Sequence, residues 1–361
     1  MQKNYDLTLK IIKEFISIES STGNTDKALG FLLSLSEQLG LEVLYNNKGN
    51  LLLKKKGLPF SGVIFSGHYD TVKPFFTFDE SKKDVINGRG SSDMKSSIIC
   101  MMIACKDSLK TSPVLALSCD EEVDSDGAIE LAEKLLKYRG EIKGIIVGEP
   151  TLLEVCSCHS GRAVYLLELF GKTYHASMGN DNNIIYNINK VLKVLDDVPK
   201  ETSKLLGTET LTPVSISTFP KDAWNVSPEK IEIILDRRKK SKLQDYSLDL
   251  SIIKDLLKEE LPEKSFEISL YNKKKNHTLP YFCEDKDFIN DILKISGSID
   301  NIEKSEKGFT ATCDAAWLEK LGPVVICGPG DLKAAHTPDE SIKKSQIKKA
   351  LELYIKINEE F

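Results

Sequence analysis

The sequence predicts an α/β fold in which a central mixed sheet lies between helices and is interrupted in sequence by a compact α+β insert. Three observations carry this reading. Short apolar runs alternate with amphipathic segments up to about residue 150, the texture changes to strands of alternating polarity from about residue 162, and the first rhythm returns after residue 277. A chain of 361 residues is also long enough for two domains, each with its own core.

The elements follow in order. Leu7, Leu9, Ile11, Ile12, Phe15 and Ile16 have the spacing of an amphipathic helix near 5–19, and a second helix is expected near 25–39. The strand-like runs LEVLY, NLLLKK and GVIFSG come next, then a helix near 92–110, strand VLALSC, a helix near 127–138 and strand GIIVGEP. Apolar strands this short, set between helices, belong to a sheet covered on both faces. The insert reads as alternating AVYLLELFGK, a helix near 183–198, strands TPVSIST and KIEIILDRR, a helix near 246–260 and strand SFEISLY. PVVICGPG and a helix near 341–358 then resume the first domain. The expected division is 1–161 with 275–361 for the first domain and 162–274 for the insert.

Composition removes several function classes. Lys and Arg number 49 against 54 Asp and Glu, a net charge of −5, so there is no general field for a phosphate backbone and nucleic acid is not an expected partner. The basic runs Lys54–Lys56, Arg237–Lys240 and Lys273–Lys275 read as solvated surface. The first twenty or so residues lack the apolar core and cleavage site of a secretory leader, and no apolar stretch approaches bilayer length, so a cytoplasmic protein without membrane contact is expected. The eight cysteines lie mostly in apolar segments, as reduced thiols do. Only Cys156 and Cys158 form a close pair, and no second pair stands near to complete a soft-metal site.

Polar candidates collect where strands end: His68, Asp70, Asp93, Glu121, Glu122, Glu149 and His336. In open α/β sheets that edge is where ligands bind. His68 could ligate a metal with Asp70 orienting its ring, form half of a relay pair, or stand beside a turn-capping aspartate. Asp93, in GRGSSDMKSS, suits a helix N-cap or a carboxylate bridging two metals. Asp120-Glu121-Glu122 is a solvated acidic turn or a cation site with one ligand and one base. Glu149 after GIIVG needs a partner if buried, and His336 in GPGDLKAAHTPDE belongs to the returning segment.

Read together, SGHYDTV, GRGSSDMK, DEE, GEP and GPGDLKAAHTPDE resemble the M20 family of metallopeptidases and amidohydrolases over nearly the whole chain. The resemblance implies a zinc-peptidase-like catalytic domain and a ferredoxin-like insert serving as lid or dimerisation domain. His68 and Glu149 then bind one metal, Glu122 and His336 the second, and Asp93 bridges both. Glu121 matches the general base and Asp70 the histidine-orienting carboxylate. In the insert, His175 of GKTYHAS matches a histidine that polarises the scissile carbonyl from the partner subunit. Asn225, Arg238 and Thr312 match positions that hold substrate.

The cofactors implied are two divalent ions, zinc by donor type, with cobalt or manganese able to occupy such sites. The implied reaction is hydrolysis of an amide in a small N-acyl amino acid, or of a dipeptide by a peptidase of the same family, in a homodimer formed through the insert. Lys73, Ser96, Ala311 and Cys313 depart from the family's common residues, the last two in a loop where some relatives carry substrate contacts. Two rivals remain. A glycine-loop phosphate binder finds neither P-loop nor dinucleotide spacing in GRGSSDMKSS or CGPGDLKAAH, and a non-catalytic relative finds every expected position filled.

Overall fold

A computed structural model describes residues 2–79, 83–179, 183–242, 245–271, 277–300 and 302–361. The chain forms two compact units, one made of Met1–His159, Tyr281–Phe309 and Cys313–Phe361, the other of Ser160–Pro280 with Thr310–Thr312. The expected boundary at 274 and 275, and the run Lys273–Lys275, lie outside the described residues.

Among its described residues the first unit contains a nine-stranded mixed sheet. Its order is Leu41–Asn47, Asn50–Lys55, Ser112–Ser118, Phe60–His68, Gly144–Pro150, Val324–Gly328, Cys156–His159 and Tyr281–Phe282, with Lys307–Phe309 also pairing Cys156–His159. Four central strands, those beginning at Ser112, Phe60, Gly144 and Val324, run parallel. Ser112–Ser118 and Gly144–Pro150 are buried at every position, the signature of parallel strands covered on both faces. Because the four run the same way, the loops after His68, Ser118, Pro150 and Gly328 leave one edge of the sheet. Register puts His68 beside Ser118 and Gly328 beside Pro150.

Helices cover this sheet. Lys95–Lys106 is apolar nearly all round and buried from Lys95 to Cys105, so it cannot be a surface helix. It lies against Gln2–Ile16 and Lys344–Glu360. Ser97 Oγ is 2.8 Å from the Tyr354 hydroxyl, which donates to the Cys327 carbonyl at 3.0 Å, so helix, helix and strand meet in one polar contact inside an apolar layer. The first helix begins and ends three residues earlier than expected, closing once Ile11, Ile12, Phe15 and Ile16 have reached the core. A helix at Lys286–Asp300, burying Phe288, Ile289 and Ile292, was not singled out by the sequence pattern. All eight cysteines are free, Cys119 half-buried and the others buried.

Among its described residues the second unit contains a four-stranded antiparallel sheet ordered Thr210–Phe219, Lys230–Lys239, Gly161–Phe170 and Phe266–Leu270, beside a short pair Thr202–Ser203 with Gly207–Thr208. Helices Asn187–Asp197 and Ser247–Glu260 complete a βαββαβ chain order. Alternation fills its core: Ala163, Tyr165, Leu167 and Leu169 point inward with Ile231, Ile233 and Leu235, and meet Val191, Val194, Ile253 and Leu257 of the helices.

The same alternation corrects one expectation. Arg237 and Lys239 continue the inward series, and the run Arg237–Lys240 is not simply solvated surface. Arg237 is 1% exposed and donates to Asp249 Oδ1 at 2.7 Å and Oδ2 at 3.0 Å. Lys239 Nζ donates to Glu209 Oε2 at 2.8 Å, and the Tyr165 hydroxyl to Asp249 Oδ2 at 2.7 Å. Each buried charge therefore has an opposite partner.

Candidate metal centre

The apolar strand Phe60–His68 delivers His68 at its last residue, buried to 1% exposure. Its Nδ1 lies 3.0 Å from the main-chain oxygen of Asp70 and 3.4 Å from Asp70 Oδ1, while Nε2 faces Asp93 Oδ1 at 3.0 Å. Asp70 thus meets the ring at Nδ1, with its main-chain oxygen nearer than its carboxylate. The carboxylate has a further task. It accepts from Thr22 Oγ1 at 2.7 Å and from the main-chain N–H groups of Glu121 and Glu122 at 3.2 and 3.3 Å. This clamps the turn after Ser112–Ser118 and sets both glutamates on the His68 side. Asp120, the third acid of that run, is used otherwise, accepting from Gly127 N at 2.9 Å near the start of helix Asp126–Leu135.

Asp93 closes the loop before Lys95–Lys106, and the Asp93–Met94 peptide is cis. It does not cap the helix with its side chain; its two oxygens face different imidazoles. Oδ1 meets His68 Nε2 at 3.0 Å and Oδ2 meets His336 Nε2 at 3.3 Å. His336 Nε2 also lies 3.1 Å from Glu122 Oε1. Glu149 Oε1 and Glu121 Oε2 stand 3.9 and 4.0 Å from His68 Nε2. The structure therefore gathers His68, Asp93, Glu121, Glu122, Glu149 and His336 at one sheet edge.

The electrostatics follow from burial and crowding. Burial, aided by neighbouring carboxylates and opposed by the histidines, raises the carboxyl pKa of Glu122 and raises those of Glu121 and Glu149 well above the usual range. Burial also acts upward on Asp93, but its hydrogen bonds with His336 and His68 prevail and hold it well below that range. For His68, burial works against the proton, yet bonds to Asp70 and Asp93 and the nearby charges raise its pKa well above normal. Contacts with Asp93 and Glu122 push His336 up to about 10.

A cation would relieve this repulsion. His68, Asp93 and Glu122 each offer a ligand atom, all within 4.8 Å of one another. One imidazole nitrogen with carboxylate oxygens suits a borderline divalent ion.

Comparison with known proteins agrees with the geometry. The sequence profile of Peptidase family M20/M25/M40 matches residues 64–360. The chain belongs to this family. It is accordingly a metal-dependent hydrolase of C–N bonds, and membership implies divalent metal cofactors. An uncharacterised metallohydrolase of Methanocaldococcus jannaschii is 29% identical, with 97% of each chain covered. The acetylornithine deacetylase of Buchnera aphidicola from Schizaphis graminum is 26% identical over 99% of this chain and 97% of its own. A tripeptidase structure from Staphylococcus aureus superposes with a TM-score of 0.79 at 16% identity, covering 98% of this chain and 99% of that one, which shows a shared fold.

The remaining sequence candidates belong to the second unit. His175 is exposed, its Nδ1 2.8 Å from Ser177 Oγ, and Ala176 N donates to the Asn225 carbonyl at 2.8 Å, so His175 and Asn225 share one corner. Arg238 is held by Asp236, with Nε 2.6 Å from Oδ1. Thr312 is half-buried.

Two acids received no role from the sequence. Asp314 is buried, accepts from Ser118 Oγ at 3.0 Å, and is pushed up to about 6 chiefly by burial. Glu340 lies within the quoted GPGDLKAAHTPDE run, but nothing local marks its partners, which stand some 250 residues earlier.

Proposed function

We propose that this enzyme hydrolyses the amide bond of a small N-acyl amino acid in a dinuclear metal site with Glu121 as general base. The observation that carries the reading is Asp93, which presents one carboxylate oxygen to His68 and the other to His336. A residue facing two histidines in this way suits a bridge between two ions. His68 and Glu149 would hold one ion, and Glu122 and His336 the other. When bound, a pair of divalent ions lowers the pKa of the attacking water and polarises the carbonyl.

The chain's own groups handle the proton. Glu121 is 14% exposed, is not needed as a ligand, and has a carboxyl pKa raised well above normal, chiefly by burial. A base so tuned takes the water's proton and later passes it to the departing amine. Asp70 keeps Glu121 and His68 in register through the contacts to both. Asn225, Arg238 and Thr312 are assigned to substrate, and His175 to the carbonyl across a subunit interface.

Zinc is the metal proposed, with cobalt or manganese as substitutes, and the reduced thiols expected of the eight cysteines accord with the cytoplasm. A homodimer through the second unit is supported by the strand Thr210–Phe219, which lies at the edge of its sheet among the described residues and leaves Val214 59% and Ile216 48% exposed. The likeness to acetylornithine deacetylase supports the N-acyl class.

A panel of N-acetyl and N-succinyl amino acids and dipeptides, assayed with zinc and with cobalt by ninhydrin, tests the proposal. Release of free amino acid from the acylated substrates is expected. Turnover of dipeptides alone would replace this reading with a metallopeptidase, and turnover of none would overturn both.

A further inference from the structure

We infer that Glu340 is a positioning residue of the metal centre, tying the loop that carries Asp93 to the loop that carries His336. The inference rests on the metal-centre reading above. Glu340 is fully buried, and its Oε1 accepts from three main-chain N–H groups of one loop: Gly90 at 3.0 Å, Ser92 at 3.0 Å and Asp93 at 3.1 Å. Main-chain N–H groups of one short loop converging in this way make an anion-binding concavity, while Ser91 N turns away to the Gly88 carbonyl. Here the anion is supplied by the protein itself. The glycine loop that could have cradled a phosphate is filled by Glu340, which removes the physical basis for a phosphate site there.

Arg89 completes the link. Its Nη1 lies 2.5 Å from Glu340 Oε2, while Nη2 approaches the His336 carbonyl at 3.5 Å. Ser92 adds a second tie, its Oγ donating to the Asp331 carbonyl at 3.1 Å and accepting from Asp331 N at 2.9 Å. Gly330, at φ +99°, lets the loops approach so closely that an added Cβ would lie 2.5 Å from Ser92 Oγ. His336 itself sits at φ +64°, a backbone conformation that persists in a non-glycine residue only when its surroundings hold it. The residue that faces both histidines and the second of those histidines are thus set by one buried carboxylate. Glu340 touches neither reacting atoms nor a ligand side chain, so it acts through Asp93 and His336.

The test titrates metal-free protein with zinc against a competing chelator, beside thermal melts of the same samples. Glu340→Gln keeps the shape but sets an amide N–H₂ against Arg89 or against the three N–H groups. Loss of an outer-shell partner costs metal affinity roughly 10–100-fold. We expect that loss in folded Glu340→Gln, and a larger one in Glu340→Ala. A purely structural role would lower the melting temperature and leave the zinc isotherm of the folded protein unchanged, which would overturn the inference. If Glu340→Gln gives no cooperative melt, Arg89→Lys decides: it keeps a cation for Glu340 and loses the reach to His336. Weakened zinc binding in that variant supports the positioning role, and wild-type affinity overturns it. A wild-type protein that binds no zinc would overturn the metal-centre reading itself, an outcome distinct from wild-type binding matched by its variants.

Discussion

Glu121→Gln separates the proposed base from the proposed ligands. Glutamine fills the same volume, and the main-chain N–H of residue 121 still donates to Asp70 at 3.2 Å. The ligand atoms of His68, Asp93 and Glu122 are untouched. Since burial raises the Glu121 carboxyl pKa, a neutral amide removes a penalised charge, and the melting temperature should not fall. A positioned general base contributes about 10²–10⁴ in rate. That is roughly 2.7–5.4 kcal/mol at 1.36 kcal/mol per decade. The expected result is full zinc content by atomic absorption with kcat reduced by that factor on the best substrate of the panel. Turnover within a few-fold of wild type would refute the base assignment. Loss of zinc together with turnover would make Glu121 a ligand.

Three further outcomes follow from other parts of the molecule. Asp249→Ala removes the two shortest acceptors of Arg237, 1% exposed, and leaves it Glu209 Oε2 at 3.3 Å, so the loss in chemical denaturation should fall below the roughly 3–5 kcal/mol of a fully broken buried pair. Zinc affinity should rise with pH between 6 and 8: His336, with its pKa pushed up to about 10, is protonated across that range in the metal-free protein, and binding must displace the proton. A flat profile by calorimetry would contradict this. Size-exclusion chromatography with light scattering should show a dimer that Ile216→Asp, on the edge strand Thr210–Phe219, converts to monomer; a fully active monomer would refute the role given to His175.

The strand ends were legible because parallel strands buried on both faces write unbroken apolar runs, as in GVIFSG and GIIVGEP, and the residues that follow such runs must leave at the ligand-binding edge. The inward course of Arg237 and Lys239 was also available, since Ile231, Ile233 and Leu235 fix the parity of that strand. A cluster of four basic letters obscured it. Helix Lys286–Asp300 was harder to read, because Ser296, Gly297 and Ser298 interrupt its apolar stripe near the end. Glu340 and Asp314 could not be read at all. Their partners at Gly90–Asp93 and Ser118 are remote in sequence and become neighbours only when the sheet brings their loops together.

Stepwise zinc titration of metal-stripped enzyme, with hydrolysis of the best N-acyl amino acid followed at each addition, separates the proposed two-ion amide hydrolase from a one-ion or metal-free enzyme. Activity should be absent without metal and reach its plateau at two equivalents per chain, with binding abolished at both sites by Asp93→Ala. Full activity at one equivalent, or activity that survives complete removal of metal, would contradict the two-ion reading.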